Sequence, residues 1–267
     1  MKFQERETDM TEFFGDLAAD SHGTADDRPP LVFLHGLTYD RRQWGRVLHE
    51  LAVADPGRRA VVFDLPGHGD SPLRDSYRSA DVVGVVHEAV TAAGLDRPII
   101  VGHSLGGALA TIYAANHPAR GVVNVDQPVL VGGFRDVLLR AEPVLRGPEW
   151  RQVWNSMLAG MQIELLPADV QELVRTATTP RQDLLLGYWG DLLATPAEEL
   201  AGLRTRDMGA IRAKGATYHH ISGNELAPAY RSWLESVLPE VAVTVLPGSG
   251  HFPHLTHPAE VAAILAG

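Results

Sequence analysis

The sequence predicts an α/β fold: a mostly parallel sheet covered by helices on both faces, with a helical cap inserted between two of its strands. Three observations carry the prediction. Short apolar, β-branched runs alternate with helix-period runs between about residues 31 and 128, the rhythm of strands buried on both faces. From about residue 132 to 207 the pattern is helical, with no strand-like run. The alternation of strand and helix then returns. Three segments follow: a first part of the core over 1–131, a cap over 132–207 and a second part of the core over 208–267. A chain of 267 residues is long enough for one large domain with such an insertion.

Taken in order, residues 1–30 carry weak strand signals and close on a polar loop marked by Pro29 and Pro30. LVFLHG (31–36) reads as a buried strand ended by glycine, and residues 39–52 as a helix with Trp44, Val47, Leu48 and Leu51 on one face. RRAVVFDLPGHGDS (58–71) reads as a strand and a glycine-proline turn, 79–95 as a helix, and RPIIVGHS (97–104) as a strand. A helix from 105 to about 117 and a strand in GVVNVDQP (121–128) complete the first part of the core. In the insertion, residues 134–145, 149–161, 168–177 and 181–194 read as helices separated by prolines or glycines. The closing elements are strands in 216–224 and 241–251 and helices near 228–238 and 258–267.

Composition excludes several classes of function. There are no cysteines, which removes a thiol nucleophile, a disulfide framework and thiolate metal sites. A net charge of −10 opposes binding to nucleic acid or to an anionic membrane surface. No apolar run reaches membrane-spanning length and the acidic N-terminus lacks an apolar leader, so a cytoplasmic protein is expected.

The chemistry starts at Gly102-His103-Ser104-Leu105-Gly106-Gly107. A G-x-S-x-G run between a strand and a helix describes a nucleophile elbow: a sharp turn that lifts the serine hydroxyl above the sheet and aims a helix N-terminus at it. Ser104 is therefore the candidate nucleophile, and it needs a base, an acid and fixed amide donors to act. The N–H of Leu105, next in the chain, is one such donor.

Beyond the elbow, VFLHGL, DLPGHGDS and LPGSGHFPHLTHP complete a set whose order and spacing resemble the α/β-hydrolases with a helical cap. The resemblance covers nearly the whole chain and implies a serine hydrolase core with its triad in the order serine, acid, histidine. The family's histidine follows the glycine of GSGH, which selects His251 over His254 and His257. Those three histidines lie three apart, but without cysteines, and with Pro253 and Pro258 expected to break the local helix, no metal is expected there. By the H-G-x motif, the N–H of Leu37 is the second oxyanion donor; His35 and Gly36 shape that loop, and DLPGHGDS, with its His68, is read as structural, as is His103.

The acid departs from the commonest family pattern, G-x-x-D after the next-to-last strand, because here the fourth place of Gly223-Asn224-Glu225-Leu226 is leucine. Two candidates stand. Asp126 ends the strand after the nucleophile's, where the zearalenone lactonases resemble this chain in placing their acid; Glu225 is one place short of the usual position. A carboxylate between apolar strand residues and a proline is costly unless paired, which favours Asp126.

For the cap, Trp150, Trp154, Met157, Met161, Tyr188 and Trp189 combine aromatic and thioether side chains that either line a pocket or pack the cap itself. Of these, Trp154, Met157, Tyr188 and Trp189 are the candidate pocket residues, and a lid of this kind with few cations suits a neutral, apolar substrate. The expected function is hydrolysis of a carboxylic ester or lactone of a small molecule, without a cofactor. Alternatives on the same scaffold are a non-catalytic small-ligand binding protein, a cofactor-free perhydrolase and a C–C bond hydrolase.

Overall fold

The strands Leu31–Leu34 and Ala60–Phe63 divide their side chains between two separate cores. Val32, Leu34, Val61 and Phe63 enter one apolar cluster, and their neighbours Leu31, Phe33, Ala60 and Val62 enter another. Both faces of these strands are buried, as period-two side-chain alternation in a covered sheet demands. The computed structural model describes residues 11–267; strand signals expected within residues 1–10 lie outside the described residues.

The strands are β1 (Glu12–Phe14), β2 (Leu17–His22), β3 (Leu31–Leu34), β4 (Ala60–Phe63), β5 (Ile99–His103), β6 (Gly121–Val125), β7 (Thr217–Ser222) and β8 (Ala242–Val245). They form one sheet in the order β1-β2-β4-β3-β5-β6-β7-β8. The β1–β2 hairpin turns at Gly15, where φ is 57°, and β2 runs antiparallel to β4. From β4 to β8 every pairing is parallel. The fold is the mostly parallel, helix-covered sheet that the sequence predicts.

The helices of the first part are α1 (Gly45–Ala54), α2 (Ser79–Ala92) and α3 (Leu105–Asn116). Between β6 and β7 run α4 (Gly132–Leu145), α5 (Trp150–Gly160), α6 (Ala168–Thr176), α7 (Gln182–Tyr188), α8 (Gly190–Ala194) and α9 (Ala197–Ala213). The last three are α10 (Pro228–Val237), α11 (Pro253–Thr256) and α12 (Pro258–Ala266). One sheet face is covered by α1 and α12, through Val47, Leu51, Val261 and Leu265. The other is covered by α2, α3 and the end of α9, through Val86, Leu109, Met208 and Ile211.

Three local readings change. The run 181–194, expected as one helix, divides at Trp189, which ends α7 and starts α8. Residue 207, the expected end of the cap, lies inside α9, which carries on to Ala213 with Met208 and Ile211 buried. Pro253 and Pro258 start helices rather than break them, since a first-turn proline lacks only an N–H that has no helical acceptor. Among the described residues no helix is long and apolar enough to cross a membrane.

Candidate active site

Ser104 stands between β5 and α3 with φ 51° and ψ −121°, a left-handed conformation that a non-glycine residue adopts only when its surroundings hold it there. Its N–H is held by the carbonyl of Val125 at 3.0 Å. The turn closes because its neighbours have no side chain: a Cβ at Gly102 would overlap the carbonyl of Gly106, and one at Gly106 would overlap the carbonyl of Leu34. The motif glycines thus let helix and strand meet closely enough to project the serine.

His251 follows β8 on the Pro247–Gly250 loop, and its Nδ1 lies 2.7 Å from Oδ2 of Asp126. The other carboxylate oxygen of Asp126 accepts from the Gly223 N–H at 2.9 Å and the Ser222 hydroxyl at 3.2 Å. Burial pushes the Asp126 carboxyl up, but the hydrogen bond and charge of His251 and the Gly223 amide outweigh it and hold the group below the ordinary value. Glu225 is 81% exposed and lies 3.7 Å from Arg231, away from this pairing. Ser104, Asp126 and His251 line one cavity. No hydrogen bond joins the Ser104 hydroxyl to the imidazole among the described residues.

The other histidines here hold backbone. Nε2 of His103 donates to the carbonyl of His251 at 2.8 Å; burial, with His254 and His251 nearby, keeps its ring far below the ordinary histidine value and neutral. Nε2 of His68 accepts from Thr38 N–H at 3.1 Å while its Nδ1 donates to Pro66 O at 3.0 Å, and His35 does the same between Leu65 N–H and Gly36 O. His35 and His68 thereby clamp the loop 36–39 onto the turn 64–71. Leu37 on that loop and Leu105 at the start of α3 both line the cavity, and neither N–H has a protein acceptor among the described residues. His254 is fully buried between Trp44 and His103, whose ring also lies 4.9 Å from that of His251, and His257 contacts Thr256 at 2.9 Å.

The cavity measures about 1420 Å³. Trp154, Met157, Met161, Tyr188 and Trp189 all line it, whereas Trp150 does not and instead carries Arg151 over its ring. Tyr188 is fixed by a 2.9 Å hydrogen bond to Pro66 O. Sequence reasoning missed Ser222 and Gly223 as the second set of partners for Asp126, though SGN at the end of a strand was the available signal. It also missed Arg204 and Asp207, which line the cavity from α9 in a polar stretch that reads as a solvated helix face.

A family model described as the alpha/beta hydrolase family matches residues 31–264. The chain belongs to that family, and hydrolase chemistry as a class comes with the membership. In sequence it is similar to a 2-succinyl-6-hydroxy-2,4-cyclohexadiene-1-carboxylate synthase of Enterobacter sp. (strain 638), at 28% identity over 89% of this chain and 90% of that protein. It is also 28% identical to an sn-1-specific diacylglycerol lipase, ABHD11, of Mus musculus, over 87% of this chain and 78% of the relative. In structure it is similar to AqDC, described by recognition and ring-cleavage of the Pseudomonas quinolone signal, with a TM-score of 0.78, 21% identity, and coverage of 96% and 97% of the two chains. That last likeness is one of fold.

Proposed function

We propose that the protein is a serine hydrolase that cleaves a carboxylic ester or lactone of a small, mainly apolar molecule. Ser104 attacks the carbonyl while His251 takes its proton through Nε2, the ring nitrogen not engaged by Asp126. Asp126 keeps the proton of the imidazole on Nδ1 and stabilises the imidazolium that forms. The N–H groups of Leu37 and Leu105 receive the developing oxyanion. His251 then donates its proton to the leaving alkoxide, which departs or, from a lactone, stays tethered. Water activated by His251 releases the acid from Ser104.

The observation that carries this reading is the 2.7 Å contact of His251 Nδ1 with the half-buried Asp126 carboxylate, at the wall of the cavity that Ser104 also lines. The name of the diacylglycerol lipase relative supports an ester among the bonds this site could cleave. The inserted helices act as a cap in this reading, supplying Trp154, Met157, Tyr188 and Trp189 to the apolar wall. A panel of short and long acyl esters and lactones of several ring sizes tests it. Turnover of at least one, reduced on the order of a thousandfold in Ser104→Ala, is the expected result. Turnover of none, or undiminished turnover in the variant, contradicts it.

A further inference from the structure

Arg204 and Asp207 stand one turn apart on α9, 16% and 15% exposed, with Nη2 of one 2.9 Å from Oδ2 of the other. Nε of Arg204 and Oδ2 of Asp207 are nonetheless both buried without a hydrogen-bond partner. The pair is thus a charge contact without alignment, which leaves most of the five guanidinium donors unused. A half-buried guanidinium so poorly engaged, its Nε orphaned, is costly unless something at the cavity takes its Nη donors. Burial draws Arg204 down and Asp207 up, as expected of a pair that compensates itself incompletely.

The pair faces the cavity that Ser104 lines. Lys214, ten residues on and just past the end of α9, donates to the carbonyls of Ala114, Ala115 and His117 at the far end of α3. Ten helical residues span ~15 Å, and Arg204 stands near Tyr218, whose hydroxyl meets that of Thr111 in the middle of α3. Apolar wall from Ala108, Ile112, Leu200 and Leu203 accompanies it. Charge decides what can bind: the cavity wall holds Arg78 and Arg204 against Asp126, Asp191, Glu199 and Asp207. An anion meets net repulsion there, while a neutral oxygen acceptor meets free N–H groups without it.

We propose that Arg204 is a specificity-determining residue, taking an uncharged carbonyl, of an amide or a ketone, carried on the substrate's acyl part beyond an apolar spacer. The assignment rests on the ester-hydrolase reading of Ser104 and names the substrate class for it.

The test uses p-nitrophenyl esters of acyl chains of four to ten carbons ending in methyl, carboxamide or carboxylate. The matching ketones, with the ester oxygen replaced by CH2, serve as uncleavable ligands for calorimetry. At one or two chain lengths the carboxamide ester is expected to exceed the methyl ester in kcat/KM by about tenfold or more, mainly through KM, with the carboxylate no better than the carboxamide. The ketones should bind in the same order, and Arg204→Met should abolish the preference in both series. The proposal is overturned if no chain length favours the carboxamide in the unmodified protein, if the carboxylate is preferred, or if the preference survives Arg204→Met. Should that variant fail to fold, Arg204→Leu takes its place, and the chain-length ordering of the unmodified protein still decides. If no ester is turned over while the ketone ordering holds, the hydrolase reading fails and the Arg204 site stands.

Discussion

Both carboxylate oxygens of Asp126 are acceptors: one takes the His251 Nδ1–H, the other the Gly223 N–H and the Ser222 hydroxyl. An asparagine has one acceptor oxygen, so one of these donors would face an NH2 group. Asp126→Asn is therefore expected to slow acylation by roughly a hundredfold to ten-thousandfold with little change in substrate binding. Glu225→Gln is expected to cost under about tenfold, since an exposed charge acts weakly at a distance. Both belong in one stopped-flow assay with thermal melts alongside; a crippled Glu225→Gln beside an active Asp126→Asn would move the acid to the other strand. His251→Ala should be as damaging as Ser104→Ala, whereas His257→Ala, whose ring contacts Thr256, should keep most of its rate. Equal losses in His251→Ala and His257→Ala would undo the choice of base.

At the scale of elements, the elbow depends on backbone contact between β5, α3 and β3. Gly106→Ala places a Cβ against the carbonyl of Leu34, whereas Gly84→Ala in α2 meets nothing within 4 Å. Overpacking of about 1–3 kcal/mol in a chain of this size should lower the Tm of Gly106→Ala by roughly 2–12 °C. Gly84→Ala should hold or raise it, alanine being the better helix former. If the two melt alike, the elbow is not packed as tightly as described. The parallel strands and the strand-serine-helix turn were legible because buried β-branched runs and flanking glycines leave strong local patterns. The division at Trp189 was not, because Leu184, Leu185 and Trp189 are all buried and keep the apolar pattern running through the break. Nor was the reach of α9: Arg204, Arg206 and Asp207 make its middle look solvated, while Met208 and Ile211, which anchor it, are too few to show a stripe. Pro253 and Pro258 misled because a proline stops one helix and starts the next by the same missing N–H.

The whole molecule stores neutral histidines in its interior. Burial lowers His35 and His220 to about 4 and His68 and His254 to about 3, against an ordinary value of 6.5. Between those values the unfolded chain binds protons that the folded chain does not, so stability is full above about pH 6.5 and falls as pH drops toward 4. Each such histidine contributes a loss of about 1.4 kcal/mol per pH unit within that window. Thermal melts should therefore drop steeply between pH 6.5 and 5; a flat Tm over that range would mean that these rings take up protons in place. In the same interior His103 holds the His251 carbonyl and His68 holds the Thr38 amide, beside the cavity that Ser104 lines. The most direct measurement is rapid mixing with p-nitrophenyl butyrate, read both as nitrophenol release and as intact mass after acid quench. The account predicts a burst of one nitrophenol per chain and a butyryl adduct on the peptide containing Ser104, both missing in Ser104→Ala. Steady turnover with no adduct, undiminished in Ser104→Ala, would contradict it.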